Sequence, residues 1–257
     1  MHSHLLNRNP AGLRFKFFLP DLNEKRVLEM ARKILIILVG AALGVACKYV
    51  CDALIRALLS KREKEYSESK TEKICLFVIM AVFGALIMLA VPLSPETLFM
   101  FLLLIVCEAV AVIDMHTRLI PNELILSVLA LAVVFGVPGL LGLRGFPAWK
   151  PLPALIGLVV CFLIFLLPAV FSKQVGAGDI KLAAAMGFCV GLWNSLFIIV
   201  LMGILVLIYV FLQSKAPILK FMASTIPMGP FLAVSMIAVL LAMKLPLLAD
   251  LFSGMPF

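Results

Sequence analysis

Apolar runs long enough to cross a lipid bilayer are the feature that most constrains this chain. Several stretches reach about 18 residues or more, and a spanning helix needs about 20 predominantly apolar residues. Only 14% of the 257 residues are charged, whereas a soluble domain carries about a quarter, and the mean hydropathy is +1.17. A membrane β-barrel would require short alternating segments, which are not found. The sequence therefore predicts an all-α, polytopic transmembrane helical bundle.

The apolar pattern divides into about eight segments, of which we expect six to eight to enter the membrane. They are residues 34–59, 74–91, 97–113, 122–141, 152–171, 179–192, 194–212 and 225–244. The sixth is short, and Gly187 and Gly191 favour close packing against a neighbouring helix. The predicted organisation is a basic N-terminal segment (1–33), a first membrane segment (34–59), a hydrophilic link (60–73) and a membrane domain (74–257).

Positive charge is concentrated beside the apolar segments. The net charge is +8, but the basic residues crowd into 8–33 and 56–73, a distribution that membrane topology and anionic lipid headgroups explain better than nucleic acid. The link 60–73 carries five Lys or Arg residues, which predicts a cytoplasmic location. Alternation then places 114–121, 172–178 and 213–224 on the same side. The side of residues 1–33 stays open, because a spanning first segment would leave their seven basic residues outside.

The remaining polar and sulfur-containing residues in the apolar segments fit structural roles. All six cysteines lie in apolar segments and lack a CxxC pair near a histidine, so we expect buried thiols, no zinc and no cofactor. Lys48, Asp52 and Arg56 share one helical face, which we expect either at a snorkelling helix end or against another helix. Glu108 is interpreted as a helix-contact residue or a partner of the aspartate that follows it on the same segment.

Two aspartates stand out because they occur at the same side of the predicted membrane. Asp114 ends the third apolar segment in "VIDMHTRLIPNEL", and Asp179 begins the sixth in "VGAGDIKL". Ionisable residues at the edge of the hydrocarbon are candidates for function because burying them costs free energy. Two close carboxyls share a proton, so one can act as a general base and the other as a general acid. A helix N-cap is the structural alternative for Asp179.

The glycines before Asp179 fit the same chemistry. Gly176 and Gly178 have no side chain, which lets the backbone adopt positive φ and lets an extended peptide approach. A general acid and a general base are what an aspartic protease uses to cut a peptide bond. Such an enzyme needs room at its site, because a peptide is cut in an extended conformation.

Three motifs resemble the type IV prepilin peptidase family. "GAGDIKLAAAMGFCVG" is similar to its GxGD signature, "DMHTRLIPNELIL" to its first aspartate motif, and "IPMGPFLA" to a stretch on its last helix. The resemblance implies a membrane aspartyl endopeptidase of the cytoplasmic (inner) membrane that removes the short basic leader of prepilins or pseudopilins, after a glycine, at the cytoplasmic face.

The resemblance also implies roles for individual residues. Asp114 and Asp179 would be the catalytic pair, and the supporting residues would be Gly176, Gly178, Lys181, Pro121 and Asn122. Pro121 suits the first turn of a helix because it lacks an N–H. Gly229 and Pro230, which shape the last helix, are candidates for lining the substrate pocket.

One departure from the family concerns the link 60–73. Many bacterial members carry an insert there with paired CxxC motifs, associated with zinc binding and N-methylation of the product, and this chain has none. Methyltransferase activity, zinc and S-adenosylmethionine are therefore not expected. Short archaeal preflagellin peptidases and tight-adherence pilus peptidases share the two-aspartate core, so their substrates stay open.

Two alternatives use the same aspartates. Presenilin-like proteases carry GxGD, but their other aspartate follows tyrosine, whereas Ile113 precedes Asp114 here. A proton-coupled transporter could use both carboxylates as ion ligands, but it would favour internal repeats and charges near the midplane.

Overall fold

The computed structural model describes residues 22–62, 69–172, 176–213 and 227–244. These residues form eight α-helices and no strand, which confirms the predicted all-α class. The helices are α1 (Leu22–Ser60), α2 (Lys70–Ala90), α3 (Pro95–Thr117), α4 (Asn122–Leu140), α5 (Pro151–Ser172), α6 (Ala177–Val190), α7 (Leu192–Gln213) and α8 (Gly229–Lys244).

The chain divides into two units, residues 1–35 and residues 36–257. The described part of the first unit is the beginning of α1, whose side chains from Arg26 to Leu35 are exposed. The second unit holds the rest of α1, all other helices and the residues of the candidate site.

Six of the described helices are long and apolar enough to cross a membrane, namely α1, α2, α3, α4, α5 and α7. The protein is therefore a multi-pass helical membrane protein. Two helices fall short of that length: α6 has 14 residues and α8 has 16.

Helix α3 forms the centre of the second unit. It packs against α2, α4 and α8, and its side chains are buried along most of the helix, from Thr97 to Asp114. In the other candidate spans most side chains are half-buried or exposed, as expected for helices that face lipid on one side. Because α3 is enclosed by other helices, Asp114 at its end lies inside the protein.

Helices α5 and α6 cross through glycines. A Cβ atom at Gly157 would lie 2.5 Å from the Gly187 carbonyl oxygen and 2.8 Å from the Gly191 carbonyl carbon. The predicted close packing through Gly187 and Gly191 is confirmed, with α5 as the partner. This crossing fixes α6, the helix that carries Asp179.

Polar contacts define one end of the bundle. Arg62, at the end of the first described segment, lies 3.0 Å from Glu123 at the start of α4. His116 near the end of α3 lies 3.4 Å from Glu72 at the start of α2. The links 60–73 and 114–121 therefore lie at the same end, as the alternation predicts.

The opposite end is closed by a second set of contacts. The Glu96 amide donates to the Gly145 carbonyl at 2.9 Å, and Lys244 lies 2.7 Å from the Glu96 carboxylate. Glu96 and Asp114 are both on α3, and 18 residues of helix separate them by about 27 Å.

Candidate active site

Asp114 lies in the last turn of α3 and is 4% exposed. Its Oδ2 atom accepts a hydrogen bond of 2.9 Å from the backbone N–H of Gly229. The next turn ends at Arg118, whose N–H donates to the Asp114 carbonyl at 2.9 Å and whose φ of 52° lies in the left-handed region. A non-glycine residue in that region is uncommon and stops the helix there. The carboxyl is thus held at a defined helix end.

Gly229 is the first residue of α8, and its contact with Asp114 requires the absence of a side chain. A Cβ atom at Gly229 would lie 2.8 Å from Asp114 Oδ2 and 2.9 Å from Asp114 Cβ. The N-terminus of a helix carries free N–H groups and partial positive charge, so it favours an ionised carboxylate. The start of α8 therefore stabilises Asp114 in its charged form.

Asp179 is the third residue of α6, behind the N-cap residue Gly176. Its Oδ2 atom accepts a longer hydrogen bond of 3.3 Å from the Gly176 N–H. The expectation that Asp179 is itself the N-cap is wrong, because the helix begins two residues earlier and the carboxyl reaches back to the cap. Its other oxygen, Oδ1, is buried and has no hydrogen-bond partner among the described residues.

The two aspartates act on each other. Burial, together with the negative charge of Asp114, raises the pKa of the Asp179 carboxyl to about 6, and the Gly176 N–H opposes this shift. Asp179 lies on α6, outside the six candidate spans. The fold thus brings the carboxyls together from α3 and α6, across 64 residues of intervening sequence.

The supporting residues surround the two aspartates. A Cβ atom at Gly178 would lie 3.1 Å from Ile120 Cβ, so this glycine lets the start of α6 approach the turn between α3 and α4. Pro121 is buried and is the N-cap of α4, one residue before the first-turn position expected for it. Lys181 Nζ donates to Asn122 Oδ1 at 3.3 Å, which joins α6 to α4.

Pro230 is the second residue of α8 and is half-buried. Its missing N–H suits this position, where helix N–H groups have no partner within the helix. A pocket-lining role for Gly229 and Pro230 stays a prediction.

One set of buried charges was only partly anticipated. Lys48 and Asp52 are buried and paired, and Lys48 also lies 3.3 Å from Glu108 Oε1 on α3. The interpretation of this face as a snorkelling helix end is wrong for both residues, because α3 covers them; Arg56 is exposed. Opposite charges in the middle of two predicted spans are the signal that predicts such a pair.

The described residues contain no group of three or more His, Cys, Asp or Glu side chains able to hold a metal ion. His116 Nδ1 lies 2.9 Å from the Val112 carbonyl, and its other ring nitrogen faces Glu72.

Fold and site together define a multi-pass helical membrane protein with two carboxyls that interact electrostatically at one end of its bundle. The model of the type IV leader peptidase family matches residues 98–211, from the first turn of α3 to the last turn of α7. Both aspartate motifs fall within the match, so the resemblance that they suggest is confirmed, whereas the motif at 226–233 lies outside the matched residues. The match supports a leader peptidase, which is a protease. No curated protein and no solved structure matched this chain.

Proposed function

We propose that this protein is an aspartic endopeptidase that cleaves the short basic leader of type IV prepilins, pseudopilins or similar preflagellins after a glycine. The observation that carries the proposal is the approach of Asp114 and Asp179 at one end of a membrane bundle, within the segment that matches the leader peptidase family.

The environments of the two carboxyls suggest that one is the general base and the other the general acid. Asp114 is buried as well, but it accepts a well-formed 2.9 Å N–H hydrogen bond at the start of α8, which favours its ionised form relative to that of Asp179, so we assign it as the base. Asp179 has a buried oxygen without a partner among the described residues and a pKa of about 6, so it holds the proton. Opposite environments of this kind separate acid from base in a carboxyl pair.

The reaction then follows in two stages. Asp114 takes a proton from water as the water oxygen attacks the peptide carbonyl carbon, and Asp179 gives its proton to the carbonyl oxygen. The tetrahedral intermediate collapses when the carbon–nitrogen bond breaks and the leaving nitrogen receives the proton that Asp114 took up. Asp179 recovers its proton from the hydroxyl of the intermediate as the new carboxyl forms, which restores the starting pair.

We place the site at the cytoplasmic face of the cytoplasmic membrane. The link 60–73 carries five basic residues and shares the aspartates' end of the bundle through the Glu72–His116 contact. Basic residues concentrate in cytoplasmic links of membrane proteins. Membrane lipid surrounds the exposed apolar faces in this arrangement, and the product leaves without N-methylation, because the link lacks the paired CxxC motifs.

The test is leader cleavage in cells that co-express the chain with a type IV prepilin from the same genome. Intact-mass spectrometry of the pilin reports the cleavage position and any added methyl group. Asp114→Asn and Asp179→Asn keep the side-chain shape but cannot exchange the proton, so we expect both to lose cleavage.

Glu123→Gln provides the matched control, since it removes an exposed carboxylate at the same end of the bundle. Cleavage by wild type and by Glu123→Gln, with none by the aspartate variants, supports the proposal. Cleavage that survives in either inserted and folded aspartate variant would refute the two-aspartate mechanism.

A further inference from the structure

Three ionisable side chains lie buried together away from the aspartate pair. Lys48 on α1 is fully buried, and its ammonium pairs with Asp52 one turn further on. The same ammonium lies 3.3 Å from Glu108 Oε1 on α3. The exposed fraction of the side chain is 9% for Asp52 and 4% for Glu108. We call these three residues the buried triad.

Glu108 is the incompletely satisfied member of the triad. Both carboxyl oxygens are buried, and neither has a hydrogen-bond partner of good geometry among the described residues. The Lys48 ammonium at 3.3 Å offsets part of the cost of burying a carboxylate, but it is shared with Asp52, and a buried carboxylate without well-formed hydrogen bonds is disfavoured.

The charges of the triad do not balance. One ammonium faces two carboxylates, which leaves one net negative charge inside the bundle if both are ionised. The thiols of Cys47 and Cys51 are also close to Glu108, but they supply no positive charge. On α3 itself, the nearest ionisable group towards the active site is Asp114, about 9 Å further along the axis.

The helices α2, α4 and α8 packed around α3 provide no compensating cation near Glu108, and on α1 the next cation beyond Asp52 is Arg56, whose side chain is exposed one turn further on. The charged residues of α2 all lie in its first turn, the charged residue of α4 is Glu123 at its start, and that of α8 is Lys244 at its end. Each is remote from the middle of α3, where Glu108 lies.

We propose that Glu108 binds a proton and that the buried triad is a proton-binding site in the helical bundle. With an ammonium at Lys48, a carboxylate at Asp52 and a carboxylic acid at Glu108, the net charge is zero. This site is separate from the proposed peptidase reaction, since Glu108 lies about two turns from Asp114.

A proton fits the triad better than a metal ion does. The Lys48 ammonium already occupies the position between the carboxyls, and a metal ion there would meet its positive charge. Only two carboxyl groups are available, and hard cations such as Ca²⁺ take about six to eight oxygen ligands.

The site has a consequence for stability. The folded protein holds this proton more tightly than the unfolded chain, in which Glu108 is solvated. Stability contributed by the proton is therefore present at low pH and is lost as the pH rises and the folded protein releases the proton.

Infrared spectroscopy of the purified full-length protein tests the proposal at pH 6, where exposed carboxyls are already ionised. We expect the carbonyl band of a protonated carboxylic acid in the wild type. Glutamate labelled with ¹³C at its side-chain carboxyl should shift this band, which separates Glu108 from the Asp179 acid without any substitution. Glu108→Gln should remove the band, and Glu123→Gln should keep it.

Thermal unfolding measured at a series of increasing pH values provides the second readout. The Tm of the wild type should fall more steeply with rising pH than that of Glu108→Gln, while Glu123→Gln follows the wild type. The absence of a glutamate-dependent acid band at pH 6 would overturn the proposal. A Tm that rises with added Na⁺ at high pH in wild type, and not in Glu108→Gln, would also overturn it in favour of a metal cation. Neither result depends on leader cleavage.

Discussion

Gly229 and Asp114 are 115 residues apart in the sequence and are joined by a 2.9 Å hydrogen bond from the glycine N–H to the aspartate Oδ2. The bond fixes the end of α3 against the start of α8. Because a Cβ atom at Gly229 would lie 2.8 Å from the same oxygen, the contact depends on glycine at this position.

Gly229→Ala should therefore displace the Asp114 carboxyl. We expect leader cleavage to fall on the order of 10²-fold, since displacements of about 1 Å at reacting groups have effects of this size. The measurement is the initial rate of cleavage in detergent micelles. Gly203→Ala on α7 is the control, because a Cβ atom there meets no atom within 4 Å. Equal rates for both variants would show that the contact does not position Asp114.

The pH dependence of cleavage should report the Asp179 proton. Burial and Asp114 raise the pKa of Asp179 to about 6, so the free enzyme loses its acid as the pH rises above that value. We expect kcat/KM to fall by about tenfold per pH unit on this limb. A kcat/KM that increases through pH 6 would reverse the assignment and make Asp179 the base.

The same shift has a consequence for stability, with a definite sign. Asp179 binds its proton more tightly in the folded protein than in the unfolded chain, so this contribution is lost as the pH rises towards 6. As the pH rises towards 6, the free energy of unfolding should fall less in Asp179→Asn than in the wild type. Thermal unfolding measures this difference. An unchanged pH slope would show that Asp179 is as easily ionised in the folded state as in the unfolded chain.

The α5–α6 crossing should be sensitive to the size of residue 187. A Cβ atom at Gly187 would lie 2.7 Å from the Gly157 carbonyl carbon and 2.9 Å from Cys161 Sγ. Gly187→Ala should destabilise the fold by about 1–3 kcal/mol, the usual range for overpacking. Thermal unfolding followed by circular dichroism measures this effect. Gly203→Ala should leave the Tm nearly unchanged, and an equal Tm for the two variants would contradict the crossing.

Loss of the Lys181–Asn122 hydrogen bond should have only a small effect on leader cleavage. Both residues are exposed, and exposed polar pairs contribute about 1 kcal/mol or less. Lys181→Met and Asn122→Ala should each reduce cleavage less than tenfold, and the double variant should lose little more than either single one. A loss comparable to that of Asp179→Asn would instead give Lys181 a direct part in the chemistry.

The all-α class and the eight helices of the described residues could be predicted from the sequence, because lipid demands long apolar runs and these leave an unambiguous pattern. The location of Asp114 and Asp179 at the same end of the bundle could be predicted from the alternation of successive segments across the membrane. Local details were less accessible. The N-cap of α6 is Gly176 rather than Asp179, since a glycine cap leaves no side-chain signal and the aspartate satisfies the cap from three residues away.

The Gly229–Asp114 bond could not be predicted, and opposite charges in two spans indicate a buried pair without showing which helices meet, because both contacts depend on which helices pack together. Lys48 and Glu108 lie in segments separated by α2, and hydropathy does not indicate that α1 covers the middle of α3. The sequence indicates that Gly229 shapes a helix, but its contact with a carboxyl on another helix depends on tertiary packing.

The glycine crossing between α5 and α6 constrains how the distance between the aspartates can change. Backbone contact at Gly157 and Gly187 leaves no side-chain layer to deform, so α6 cannot tilt without carrying α5. Asp114 is fixed on a different part of the protein, between α3 and α8. A change in the distance between the two aspartates would therefore require α5 and α6 to slide together against α3 and α8. Such a motion is a shear between packed helices, not the movement of a loop.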